Sequence, residues 1–249
     1  MRFRKLHATG NDFILLEDSP FALTTEQRRR LCDRHIGIGA DGILFIEKGE
    51  GIGIYMHYWN ADGALGSFCG NGARASMWSA YQRWNLEYAV LHAADGVHAA
   101  QVLQTTPPLV SVQLHLHAQP KEIGLHQWFV HTGSPHKLIE VPLEELNKLR
   151  LEEVAPPLRY DTRWDEGGVN VSFFARDETG WHIRTYERGV ESETLSCGTA
   201  CAALAVLANE SELTIYTRGG LLRIRKEGAH IWLIGEVEEV FWGEWKTPL

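Results

Sequence analysis

One short phrase occurs twice in this 249-residue chain, roughly half a chain apart: Cys69-Gly70-Asn71-Gly72-Ala73-Arg74 and Cys197-Gly198-Thr199-Ala200-Cys201. In each, a thiol is followed at once by glycine and then by small residues, Ala73 to Trp84 in one case and Ala200 to Asn209 in the other. The pattern predicts a cysteine at a helix N-terminus in both halves. A repeat of this period is too long for a solenoid, whose unit is about 20 to 50 residues, and implies two similar lobes with one cleft. The strand signals are interrupted at Pro120 and Gly124, which predicts a first lobe over 1–119 carrying Cys69 and a second over 120–236 carrying Cys197. A last strand, about 237–249, is expected to pack back on the first lobe.

Local patterns fill in an α+β chain. Phe13 to Leu16, Ile43 to Ile46 and Ile52 to Trp59 read as strands. Thr24 with Gln27 forms a capping-box signature for a helix running to His35 and stopped by Gly37. Tyr88 to Ala93, His98 to Gln104 and Val110 to His117 suit an antiparallel meander. The second half repeats the rhythm, with strands at Trp128 to His131 and Lys137 to Val141, a helix over Pro142 to Arg150, and a Pro156-Pro157 loop. Further strands are expected at Val169 to Ala175, Trp181 to Glu187, Leu213 to Thr217, Leu221 to Lys226 and His230 to Ile234.

Composition narrows the partners. The net charge of −8 is spread without long like-charge blocks, which argues against nucleic acid or an anionic membrane and for a small-molecule substrate. The N-terminus lacks a signal-peptide core and no run approaches a membrane span, so a cytoplasmic location is expected. Four cysteines are too few for a disulfide scaffold, which leaves free thiols.

A free cysteine is only ~3% thiolate at pH 7, but a helix N-terminus can lower its pKa to roughly 3.5 to 7.5. The same helix ends offer N–H groups for a carboxylate, and Gly70, Gly72, Gly198 and Ala200 let it approach. Two thiols facing one ligand could take a proton from one side and give one to the other, inverting a stereocentre. As like charges, they are expected to share one proton. Cys32 and Cys201, flanked by apolar residues inside helices, read as core filling. A Cys197–Cys201 disulfide is discounted because helical i,i+4 spacing does not readily meet its geometry.

These motifs, in order, resemble the diaminopimelate epimerase family: Lys5 to Phe13, Gly37 to Gly42, Asn60 to Gly63, Cys69 to Arg74, Gly133-Ser134-Pro135-His136, Val169-Asn170-Val171, Tyr186 to Gly189 and Glu193 to Thr199. The resemblance implies two pseudo-symmetric lobes, each a strongly curved, mostly antiparallel sheet around a central helix, with the active site in the interlobe cleft. It implies cofactor-independent interconversion of LL- and meso-diaminopimelate, which supplies lysine and peptidoglycan synthesis. No pyridoxal phosphate or metal is expected, and a homodimer is possible. Cys69 and Cys197 would be the two bases with His136 and Glu187 beside them. Asn11, Asn60, Gly70, Asn71, Asn170, Glu187, Arg188, Gly198 and Thr199 would bind substrate.

Three departures stand out. Gly42 occupies a position where some members carry glutamine, Ser134 replaces a usual asparagine, and Ala64-Leu65 follow Asn60 to Gly63 in place of a polar pair. Two alternatives remain: a proline-racemase-like or hydroxyproline-epimerase-like enzyme of the same plan, and a non-catalytic metal or thiol redox module suggested by His115-Leu116-His117.

Overall fold

A computed structural model describes residues 1–66, 68–115, 119–161, 163, 167–228 and 230–246. It divides the chain into two compact units, 1–112 with 235–249 and 113–234. The division falls at Val112/Gln113, earlier than the Gln119-Pro120 interruption read from the sequence.

The first unit contains strands β1 (Arg2–Ala8), β2 (Asn11–Leu16), β3 (Gly42–Lys48), β4 (Gly53–Asn60), β5 (Tyr88–Ala93), β6 (Gly96–Thr105) and β7 (Pro108–Leu114), with helices α1 (Thr25–Cys32) and α2 (Gly70–Trp84). Its strands follow one another in chain order. The end of a late strand, His230–Glu244, then lies between β7 and β1 and closes the ring. The links β2–β3 and β4–β5 are parallel and span α1 and α2; the other described pairings are antiparallel.

The uninterrupted apolar runs in β2 and β3 follow from burial on both faces, since successive side chains point opposite ways. Phe13, Leu15, Leu44 and Ile46 join the core around α2, while Ile14, Leu16, Ile43 and Phe45 meet Leu31 and Cys32 of α1 on the other side. α1 begins with the expected capping box between Thr24 and Gln27. It stops at Cys32, short of the expected His35, because the Asp33 carboxylate accepts from the His35 and Ile36 N–H groups and turns the chain out of the helix.

The second unit holds β8 (Lys121–Gly124), β9 (Gln127–His131), β10 (Pro135–Glu140), helices α3 (Leu143–Lys148), α4 (Leu151–Val154) and α5 (Pro156–Arg159), then β11 (Asn170–Arg176), β12 (Trp181–Glu187) and β13 (Ser192–Thr194). Helix α6 (Gly198–Ala208) and strands β14 (Glu212–Thr217), β15 (Gly220–Glu227) and β16 (His230–Glu244) complete the chain. Here too the parallel links, β10–β11 and β12–β14, are the ones that span helices. The double proline is not a loop as expected. It opens α5, where a missing N–H costs nothing at the first turn. Pro142 caps α3 from outside, and the helix ends at Lys148. The last two expected strands are one, β16, which runs unbroken through Gly235.

Helices α2 and α6 are built alike. Each is N-capped by a cysteine in extended conformation, Cys69 or Cys197, and C-capped by an asparagine in the left-handed region, Asn85 (φ 56°) or Asn209 (φ 53°). Asparagine tolerates that conformation better than other residues bearing a Cβ. Alanine and glycine make up over half of α6 and a third of α2 and both occur in the first turn of each, and most of each helix is buried inside a curved sheet. Cysteine is a poorer cap than serine, threonine, asparagine or aspartate. Its presence at both N-caps is therefore unexplained by stability.

Candidate active site

The two-residue turn Thr9-Gly10 joins β1 to β2 with positive φ at both positions, 54° and 81°. That conformation matches the twist of a tight hairpin. It delivers Asn11 as the first residue of β2, beside the start of α2. The Cys69 thiol donates to Asn11 Oδ1 at 3.5 Å, and its sulfur accepts from the Gly72 N–H at 3.3 Å. A side chain at Gly72 would press on Leu44 Cδ2 and Cys69 Cβ, at 3.2 and 3.4 Å, so this glycine permits the close packing of the first turn.

Asn71 is 2% exposed. Its Nδ2 donates to Asn11 Oδ1 at 3.3 Å and its Oδ1 accepts from the guanidinium of Arg74 at 2.6 Å. Arg74 is fully buried and also donates to Thr9 Oγ1 (3.0 Å) and the Glu236 carbonyl (3.1 Å). On the other side, Asn11 Nδ2 donates to Asp41 Oδ2 at 2.8 Å, and Arg34 bridges Asp41 and Asp12. Lys5 adds an ion pair to Asp12 and a bond to the Gly39 carbonyl. Burial alone would raise the Asp12 pKa, but Arg34 and Lys5 hold it well below the usual carboxylate range. For Asp41, burial and the charge of Asp12 win, and its pKa is raised.

Asn60 sits at the end of β4, opposite Gly42, and opens a turn in which its carbonyl accepts from the Gly63 N–H. Its side chain makes no hydrogen bond among the described residues. At Gly42, the position where some relatives carry glutamine, an added Cβ would lie 2.5 Å from a Tyr58 ring carbon and 2.7 Å from the Trp59 carbonyl. Tyr58 fills that space here.

In the second unit, Cys197 caps α6 without a side-chain capping bond, and Thr199 two residues on becomes a hub. The Thr199 hydroxyl lies 3.4 Å from Cys197 Sγ, 3.0 Å from His136 Nε2 and 3.5 Å from Ser134 Oγ. Thr132 Oγ1 donates to the Thr199 carbonyl at 2.8 Å. Asn170, aligned with His136 across β10 and β11, accepts from the Arg188 N–H at 2.8 Å and donates to the Pro135 carbonyl at 3.2 Å. It therefore fixes the backbone from which Arg188 projects. Glu187 accepts from Thr194 Oγ1 at 3.0 Å.

The expectation that both thiols are acidified by helix ends fails at Cys197. The residue is 6% exposed, and burial, followed by the negative charge of Glu187, pushes its thiol well above the ordinary value; the Thr199 hydroxyl and Ala200 N–H oppose this but do not win. His136 is completely buried and is driven down to about 3, chiefly by burial and further by His131 and Arg188, so it is neutral near pH 7. Cys32 and Cys201 lie in the core as expected, and burial raises Cys32 to about 12.

The structure thus joins Cys69, Gly70, Asn71 and Asn11 in one unit, with Asn60 apart from that bonded set. It joins Cys197, Gly198, Thr199, His136, Asn170, Glu187 and Arg188 in the other. Sequence reading missed the roles of Thr9, Arg34, Asp41, Arg74 and Thr132. Thr9, Arg74 and Asp41 lie in quoted motifs, but the contacts that tie them together, Arg74 to Thr9 and Glu236 and Asp41 to Asn11, join residues far apart in sequence. A cavity of about 370 Å³ lined by His182, Arg184, Tyr216 and Arg218, among others, contains none of the motif residues. Among the described residues no group of three or more His, Cys, Asp or Glu is gathered as for a metal. Leu116 and His117 of the His115-Leu116-His117 phrase lie outside the described residues.

The fold is shared by solved structures of low sequence identity. A PhzF-family phenazine biosynthesis protein from Enterococcus faecalis aligns with a TM-score of 0.74 at 16% identity, covering 99% of both chains. A hydroxyproline epimerase from Agrobacterium vitis, with bound trans-4-hydroxy-L-proline, aligns at 0.70 with 12% identity, over 98% of this chain and 90% of its own. The fold, with its paired cysteine caps, places the chain in this two-unit structural class.

The family model described as diaminopimelate epimerase matches residues 3–114 and 128–240. Curated diaminopimelate epimerases from Methanocella arvoryzae (34% identical, 98% of this chain and 96% of the relative) and Flavobacterium psychrophilum (33%, 97% and 98%) align end to end. The chain belongs to the diaminopimelate epimerase family.

Proposed function

We propose that the chain interconverts LL- and meso-diaminopimelate without a cofactor, with Cys69 and Cys197 as the two bases on opposite faces of the reacting carbon. The observation that carries this reading is the pair of cysteine N-caps on two buried helices of like design, where cysteine is a poor choice for capping. The N–H groups at Gly70, Asn71, Gly198 and Thr199 would hold the reacting carboxylate, because a helix start concentrates unpaired donors and partial positive charge there.

The cysteine acting as base takes the α-proton as a thiolate, leaving a carbanion delocalised into that carboxylate. The other, as a thiol, donates to the opposite face. Burial and the charge of Glu187 favour the thiol form of Cys197 before substrate arrives. Asn60 and Arg188 would read the distal end of the substrate, the guanidinium clamping a carboxylate through two parallel bonds. Asn170 supports Arg188 from behind, and Asn11 would bind substrate beside Cys69. A cytoplasmic location and a homodimer belong to the same reading, as the family resemblance implies.

The test is epimerisation in deuterated water with LL-diaminopimelate and, separately, L-proline and trans-4-hydroxy-L-proline. The expected result is α-proton exchange and inversion with diaminopimelate only, abolished by Cys69→Ala and by Cys197→Ala. Inversion that survives in either variant would sink the two-base account, and exchange of proline alone would sink the substrate.

A further inference from the structure

The orientation of a side-chain amide is set by what its two ends must meet. Asp41 accepts at both carboxyl oxygens, with Arg34 on Oδ1 at 2.8 Å and the Asp12 N–H on Oδ2 at 3.3 Å, so only Asn11 Nδ2 can satisfy the remaining contact at 2.8 Å. At the far end Arg74 has donors only, so Asn71 must turn Oδ1 toward it and Nδ2 toward Asn11. The two charged anchors leave one arrangement of the amides between them. Asn11 Oδ1 is the acceptor left facing Cys69 Sγ.

We infer that Asp41 is a positioning residue for Cys69: by locking the Asn11 amide with its carbonyl toward the sulfur, it holds Cys69 as a thiol and keeps the thiolate, once formed, strongly basic. The inference rests on the reading of Cys69 as one of the two bases. Without Asp41 the amide is held only by the 3.3 Å bond from Asn71 Nδ2, and a turn of its NH₂ to the sulfur would stabilise the thiolate and weaken it as a base toward a carbon acid. Arg34, which ties Asp41 to Asp12, supports the lock from outside.

The direct readout is the pH midpoint of Cys69 alkylation by iodoacetamide in the ligand-free, full-length protein, followed by peptide mapping. Asp41→Ala should lower that midpoint by roughly one pH unit. Removing a carboxylate could shift the thiol through its charge alone, so the same substitution is repeated on Asn11→Ala. The lock predicts that Asp41→Ala then adds little further shift. Lys5, Asp12, Arg34, Arg74 and the His98–Asp95 pair, whose imidazole stacks on Phe68 at 4.2 Å, face this region and are common to both backgrounds. The limb of kcat/KM that Cys69 sets should move with the alkylation midpoint.

An equal shift in both backgrounds, or none in either, overturns the inference. If Asp41→Ala does not fold, Asp41→Asn carries the test, because a neutral amide accepts either Asn11 orientation and should give a shift in the same direction; an unmoved midpoint there also overturns it. Alkylation needs no substrate, so an unmoved midpoint in a protein whose two cysteines remain essential removes the lock and leaves the two-base reading standing.

Discussion

The Thr199 hydroxyl stands between Cys197 Sγ and His136 Nε2, at 3.4 and 3.0 Å. A hydroxyl has one proton and two acceptor sites, so it can donate to the sulfur while accepting from the imidazole, or reverse both. The thiolate form of Cys197 needs the first arrangement and the thiol form suits the second.

Thr199→Val keeps the shape and removes the hydroxyl. A hydrogen bond to an ionised group contributes about 1.5 to 3 kcal/mol, which corresponds to a loss of about 10- to 150-fold in kcat/KM. Thr199→Ser should recover most of it. Steady-state kinetics of the two variants across pH 6 to 10 provide the check, and equal losses in both would assign Thr199 to packing.

His136 predicts a pH dependence of stability. It must stay neutral while folded, yet it takes up a proton near pH 6.5 when exposed, so unfolding binds a proton between about 6.5 and about 3. Stability from this group is fully present above that window and is lost as pH falls through it, with a slope of up to about 1.4 kcal/mol per pH unit. Urea titrations from pH 7 to 4 should show a shallower decline in His136→Gln than in the wild type.

Gly42 should tolerate no side chain. Gly42→Ala places a Cβ against Tyr58 and the Trp59 carbonyl, and overpacking of this kind costs about 1 to 3 kcal/mol. Adding Tyr58→Ala should return part of the loss and not all, because the carbonyl belongs to the backbone. Thermal melts of the single and double variants test this, and full recovery would show that the ring is the whole obstacle.

Both cysteine helices are legible in the sequence because local signals agree: a strand pair before each and a glycine after each thiol. β1 was not read. Its alternation is broken by a bulge at Lys5/Leu6 and masked by Lys5, a charged residue that can be buried only because Asp12 and the Gly39 carbonyl receive it. β16 looked like two strands because nothing nearby shows that its halves have different pairing partners. The polar chain through Asp41, Asn11, Asn71 and Arg74 was equally hidden. Each link is ordinary alone, and only the β1–β2 turn and the start of α2 bring the links together. The helix-end argument for Cys197 failed because sequence gives position on a helix and says little about desolvation.

The ring of the first unit is completed by the end of β16, which the ribosome makes after the whole of the second unit. The first unit must therefore wait for the second to be made before its own barrel can close. Until then β1 and β7 are unpaired edges, the kind of surface on which partly made chains aggregate. Loss of the C-terminal strand should consequently be felt at the opposite end of the sequence, in a first unit that is made in full and cannot finish.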